Sequence, residues 1–171
     1  MKIETFDNIV DFETRNNLFR GCKTSPYSLG WKDNNLLEDS PDNLHCYWNI
    51  ETLNQSGLVP YLNNIQSKYF KFDINKVVMT EVNLVRSDDV YYTHTHPGQW
   101  VALYYANLNW EDGWYGETIF YDKQDQNKVI FTNTYTPGRI SFIDGSIPHA
   151  VRPQSIKGPK FRFSVSIFSR Y

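Results

Sequence analysis

Three histidines carry the chemistry available to this sequence. His94 and His96 stand two residues apart in Y-Y-T-H-T-H-P-G-Q-W, and His149 follows in D-G-S-I-P-H-A-V-R-P. In an extended strand, residues i and i+2 project to the same face, so both imidazoles of the pair can converge on one point. Two close ligands on one strand and a third on a distant strand is the usual build of a non-haem iron site. An H-x-H pair alone is often just two polar surface residues; the distant third histidine gives it meaning. His45 lies in a loop-like stretch and reads as a satisfied histidine outside the site.

A second group of chemically telling residues lies at the end of the chain. Phe161, Phe163, Val165 and Ile167 form one apolar face of a strand, and Arg162, Ser164 and Ser166, followed by Phe168, form the other. An arginine and two serines on the inward face of a barrel strand are costly to bury without a partner. A dicarboxylate satisfies them: a guanidinium fork matches carboxylate geometry, and a hydroxyl two residues on adds a hydrogen bond. Tyr105, on the strand after the histidine pair, offers a second donor.

These residues need a β scaffold, and the pattern supplies one. Val77 to Val85, Trp100 to Leu108, Thr118 to Tyr121, Lys128 to Tyr135, Arg139 to Ile143 and Phe161 to Phe168 read as strands, separated by turn residues such as Pro137-Gly138 and Asp144-Gly145. Ahead of them, residues 3 to 10 alternate loosely as a short or edge strand. Asp11 is an N-cap for a helix running to about Cys22, with Phe12, Leu18 and Phe19 as its apolar side. A second helix is expected from about Ser56 to Tyr69, with Pro60 in its first turn. Residues 23 to 50 form a long irregular segment with one strand at Cys46 to Ile50. The fold class expected is mainly β with α: a double-stranded β-helix, or jelly-roll, core flanked by two N-terminal helices. The whole chain, 1–171, is expected to be one domain, with helices and irregular segments over 1–75 and the site-bearing jelly roll over 76–171.

Composition excludes several classes. Net charge is -2, with no polybasic run, so nothing points to nucleic acid or an anionic membrane. No apolar run approaches the roughly 18–20 residues of a transmembrane helix. The start, M-K-I-E-T-F-D, lacks the apolar core of a signal peptide, and Cys22 and Cys46 read as reduced thiols; a cytoplasmic location is expected. Trp100, Trp110 and Trp114 read as packing residues, Asp88-Asp89 as a solvated turn and Asp144 as a turn residue.

Taken together, H-x-H, Y-Y-A-N, G-E-T-I-F, P-G-R-I-S-F-I-D-G-S-I-P-H-A-V-R-P and R-F-S, in that order, resemble the prolyl-4-hydroxylase-type Fe(II)/2-oxoglutarate-dependent dioxygenases, in the small single-domain kind found in bacteriophages and bacteria. The resemblance covers about residues 78 to 170. It implies a hydroxylase that uses Fe(II), O2 and 2-oxoglutarate on a peptide or small-molecule substrate and releases succinate and CO2. It makes His94 the first iron ligand and His149 the distal one, and it assigns Arg162, Ser164 and Tyr105 to the distal carboxylate of 2-oxoglutarate. Glu117 and Thr118 match a mostly structural segment, and Arg139 and Arg152 make loop contacts.

The departure is His96, which stands where such proteins carry an aspartate. Three readings follow. His96 ligates directly and gives a His94, His96, His149 centre; or His96 is the first histidine, leaving Gly98 at the carboxylate position and an open site like that of the iron halogenases; or the site binds iron poorly. Two further functions compete: a three-histidine, cupin-type dioxygenase that needs no keto acid, and an inactive jelly-roll binding module. The cupin pattern lacks its glutamate here, since Gln99, Trp100 and Val101 follow Pro97-Gly98.

Overall fold

The computed structural model describes residues 2–31 and 43–171 of the chain. In chain order its elements are β1 (Ile3–Phe6), α1 (Phe12–Thr24), β2 (Ser28–Trp31), β3 (Asn43–Tyr47), α2 (Ile50–Gln55), α3 (Val59–Asn64), β4 (Val77–Val85), β5 (Gln99–Tyr105), β6 (Thr118–Tyr121), β7 (Val129–Asn133), β8 (Ile140–Asp144), β9 (His149–Val151) and β10 (Arg162–Arg170). Seven strands form one antiparallel sheet in the order β1-β8-β5-β10-β4-β3-β2, and three form a second in the order β7-β6-β9. An isolated antiparallel bridge between His94 and His149 extends the smaller sheet beyond β9. The result is a jelly roll, mainly β with a few helices.

Period-two alternation divides the side chains between two cores. Ala102 and Tyr104 of β5, Ile140 and Phe142 of β8, and Phe163, Val165 and Ile167 of β10 face outward, against Leu18, Cys22, Leu53, Leu58 and Leu62 of the helical layer. Val101, Leu103 and Tyr105 of β5 and Phe168 of β10 face inward, against Phe120 and Tyr135. Each fully buried large apolar side chain contributes about 1.5–3 kcal/mol, so the outer core secures the large sheet independently of the inner site. The inner face of β10 is left to Arg162, Ser164 and Ser166, all buried, as the alternation predicts.

Helix α1 begins where expected: the Asp11 carboxylate accepts from Thr14 N at 2.9 Å. It continues to Thr24 and buries Leu18 and Cys22, one helical turn apart, while Phe12 is 67% exposed and takes no part in packing. The second helix differs from expectation. It is two short helices, α2 and α3, because Asn49 caps an earlier start and Gly57 adopts a φ of 79° that breaks the run. The chain leaves α3 at Asn64, with Ile65 extended, rather than continuing to Tyr69. Beyond it, the Glu4 carboxylate accepts from Ser67 Oγ and Lys68 N and ties the segment to β1.

The short edge strand expected over residues 3 to 10 is β1, at one edge of the large sheet. Strands β2 and β3 join the same sheet, so the first 75 residues are more than helices and irregular chain. The strand expected at Cys46 to Ile50 lies at Asn43–Tyr47, because Asn49 is already a helix cap. The rest of the expected irregular segment includes residues 32 to 42, which lie outside the described residues. His45 sits in β3 rather than in a loop. Strand β9 is short and carried no alternation of its own to announce it. Cys22 and Cys46 are both free and buried, and burial raises both thiols. No helix among the described residues is long and apolar enough to cross a membrane.

Candidate active site

A cavity opens between the two sheets. Its wall includes His94, His96 and His149, the inner face of β10 from Arg162 to Phe168, and Thr118 of β6. The three histidines meet although they come from different places in the chain. His94 N donates to His149 O at 2.9 Å, and His149 N returns the bond to His94 O at 3.0 Å. His96 is placed from the other side, its N–H donating to Gly145 O at 2.6 Å. Ring centroids lie 4.5 Å apart for His94 and His149, 5.0 Å for His94 and His96, and 5.2 Å for His96 and His149. One candidate ligand atom from each ring lies within 4.8 Å of the others, close enough to share one ion.

The protonation state suits a metal. His94 Nδ1 is 3.1 Å from Tyr92 O, and His149 Nδ1 is 2.8 Å from Ile147 O. A carbonyl only accepts, so each Nδ1 carries the proton and Nε2 keeps its lone pair for a metal ion. Burial, with the neighbouring His94 adding to it, pushes both His96 and His149 down to about 3, so both stay neutral at physiological pH. The edge of Phe168 packs on His96 at 4.8 Å. No carboxylate among the described residues joins this cluster.

At the end of the cavity defined by Arg162, the guanidinium is fully buried. Its Nε donates to Gly116 O at 2.7 Å, and Nη1 donates to Ser164 Oγ at 3.2 Å. The rings of Tyr105 and Tyr135 lie 5.2 and 5.0 Å from its central carbon. Nη2 is buried with no hydrogen-bond partner among the described residues. An unpaired charged donor in such a place carries a large desolvation cost, which a carboxylate in the cavity would remove. The residues present thus fit both a metal ion and a dicarboxylate.

Tyr105 stands elsewhere than its expected role requires. It is fully buried behind the cavity wall, donates to Asn133 O at 3.1 Å and is hydrogen-bonded with Thr118 Oγ1 at 2.9 Å. Its ring stacks on Tyr135, which in turn stacks on Trp110. Thr118, expected to be structural, lines the cavity in its place. Glu81, Asn83 and Val85 line it as well, at every second position of β4, and Tyr91 joins them. The alternation of β4 was the signal that could have found the first three. Arg139 and Arg152 make the expected loop contacts, pairing with Asp7 at 2.7 Å and Glu117 at 2.8 Å. Asp89 is not solvated, for its carboxylate is 4% exposed and held by Arg86 at 2.7 Å.

A jelly roll with a histidine cluster at one end of its cavity and a buried arginine at the other has the fold of the iron- and 2-oxoglutarate-dependent oxygenases. No protein-family model matches the chain, and no curated protein matches it. Solved structures do match over 99% of its length. A prolyl hydroxylase from Trichoplax adhaerens, in complex with a hypoxia inducible factor oxygen degradation domain peptide fragment, superimposes with a TM-score of 0.66 at 14% identity over 83% of its own chain. A Pseudomonas putida prolyl-4-hydroxylase gives 0.66 at 14% identity over 93% of its chain. An oxidoreductase of the 2OG-Fe(II) oxygenase family from Burkholderia pseudomallei gives 0.64 at 10% identity over 86%. At these identities the likeness is one of fold.

Proposed function

We propose that the protein is an Fe(II)- and 2-oxoglutarate-dependent oxygenase that hydroxylates a peptide or small molecule. The observation that carries this reading is Arg162: a buried guanidinium whose Nη2 has no hydrogen-bond partner among the described residues, in the wall of the cavity that also holds the three histidines. His94, His96 and His149 would hold the iron, and Arg162, Ser164 and Thr118 would hold the distal carboxylate of the keto acid. Such a centre couples decarboxylation of 2-oxoglutarate by O2 to insertion of one oxygen into a C–H bond of the substrate, with succinate and CO2 released. The chain's own part is positional. Arg162 fixes one end of the cosubstrate, the two fixed tautomers aim Nε2 of His94 and His149, and Phe120 and Phe168 help exclude water around the imidazoles. Three neutral ligands leave the centre one unit more positive than a two-histidine, one-carboxylate set, which favours the dianionic cosubstrate.

One observation favours a second reading, a three-histidine dioxygenase that uses no keto acid: the metal cluster contains no carboxylate among the described residues. Arg162 would then bind the carboxylate of the substrate itself. Anaerobic titration of the Fe(II) protein with 2-oxoglutarate separates the two. The oxygenase reading expects a visible charge-transfer band on adding the keto acid, and succinate on admitting O2. Arg162→Ala should weaken keto-acid binding by roughly 2–5 kcal/mol, since it removes a charge-assisted pair. No band and no succinate from the wild type would overturn the oxygenase reading.

A further inference from the structure

We infer that Gly145 is the positioning residue that sets where His96 stands, and with it the geometry of the three-histidine cluster; the inference rests on the metal reading of that cluster. Gly145 lies between β8 and β9, in the turn Asp144-Gly145-Ser146. Its carbonyl accepts the His96 N–H at 2.6 Å, and its own N–H donates to Gln99 O at 2.9 Å. A Cβ at this position would stand 2.5 Å from His96 O, 2.8 Å from Gln99 O and 3.0 Å from His96 Cβ. None of these atoms is the flexible end of a side chain, so any added carbon displaces the histidine's own backbone. Space, rather than an unusual dihedral, calls for glycine here, since Gly145 has no positive φ.

The turn is itself fixed. Asp144 Oδ1 accepts from Ser146 N at 3.0 Å and from Tyr171 OH at 2.7 Å, and Ile147 N donates to Asp144 O at 3.0 Å. The same turn serves a second ligand, because Ile147 O receives His149 Nδ1 at 2.8 Å. Among the described residues no side-chain hydrogen bond orients the His96 ring; its position follows from backbone placement and the Phe168 edge. One tight turn therefore gauges His96 by contact and aims His149 by hydrogen bond. Ligands must be held to within about 0.5 Å of their working place, so pushing the His96 backbone away by even that much weakens the centre.

Co(II) binding to the full-length protein tests this, since its d–d bands report ligand geometry directly. Gly145→Ala, folded by far-UV circular dichroism, is expected to bind Co(II) at least tenfold more weakly than wild type and to show altered bands. A folded variant with wild-type affinity and bands overturns the inference and leaves the metal reading standing. A wild-type protein that binds no Co(II) overturns the metal reading and the inference together. Should Gly145→Ala fail to fold, hydrogen exchange on the metal-free wild type decides. The His96 and Gly145 amides should be protected to within about tenfold of the β5 amides, and exchange at open-loop rates overturns the inference.

Discussion

His94 and His149 exchange both backbone hydrogen bonds, at 2.9 and 3.0 Å, so the pairing of two strands that are distant in sequence brings their imidazole centroids to 4.5 Å. The pairing is independent of either side chain. It fixes the backbones of two candidate ligands, whose rings are then oriented by Nδ1 contacts to Tyr92 O and Ile147 O. The third, His96, is placed by the contact of its own backbone with the β8–β9 turn.

Truncating His149 should consequently separate metal binding from folding. His149→Ala keeps both backbone bonds and removes a buried imidazole. Fe(II) affinity measured by anaerobic equilibrium dialysis should fall at least a hundredfold. The melting temperature of the metal-free protein should stay within a few degrees of wild type. Full iron occupancy in the variant would remove His149 from the ligand set.

His96 is the departure from the two-histidine, one-carboxylate pattern, and a pair of substitutions tests it. His96→Ala should lose most of the affinity for Fe(II), whereas His96→Asp should restore it, because a carboxylate is an adequate iron ligand at that place. Wild-type affinity in His96→Ala would instead remove His96 from the ligand set, in either register.

Thr118 and Tyr105 should differ in what they support. The Thr118 hydroxyl lines the cavity, while the Tyr105 hydroxyl is engaged with Asn133 O and Thr118 Oγ1 behind it. Thr118→Val should weaken 2-oxoglutarate binding by about 1 kcal/mol, a loss of several-fold in affinity. Tyr105→Phe should mainly lower stability, by about 1 kcal/mol, since it leaves a buried carbonyl short of a donor. Titration of the charge-transfer band and urea unfolding read the two effects separately; the opposite order would return Tyr105 to the carboxylate.

The ion pair between Arg139 and Asp7 sets a pH dependence away from the site. Its hydrogen bonds hold the Asp7 carboxyl below its usual value of 3.8. A carboxylate depressed in the folded state adds stability above the unfolded value, and that stability is lost as pH falls through the folded one. Asp7 is partly exposed, so the contribution is less than about 1 kcal/mol. Asp7→Asn should melt up to about 4 °C lower at pH 7, and the difference should close below pH 3.8. A gap that persists in acid would assign the effect to shape rather than charge.

Much of this site was legible in the sequence. The alternation of β10 separates Arg162, Ser164 and Ser166 from Phe163, Val165 and Ile167, because a strand has one side-chain period and only one face of this one meets the helices. The histidines were legible through residue type and order. Tyr105 was not, because alternation gives the face a residue points to but not how deep its side chain reaches. The ring packs into the Tyr135 and Trp110 stack, and the shorter Thr118 on the facing sheet lines the cavity. The edge strand expected over residues 3 to 10 is β1, and the one expected at Cys46 to Ile50 is displaced to β3. Strands β2 and β9 were not shown by the sequence, being short and defined by their neighbours rather than by their own pattern.

The sequence by itself determined the kinds of group available and the faces they share, since those follow from local periodicity and side-chain chemistry. Only the tertiary structure decided which of them meet. The pairing of His94 with His149, the seating of His96 against Gly145 and the Arg162 nitrogen left without a partner among the described residues each depend on contacts between segments far apart in the chain. Distances of a few tenths of an ångström between such segments are set by packing of the whole barrel, and no local pattern encodes them.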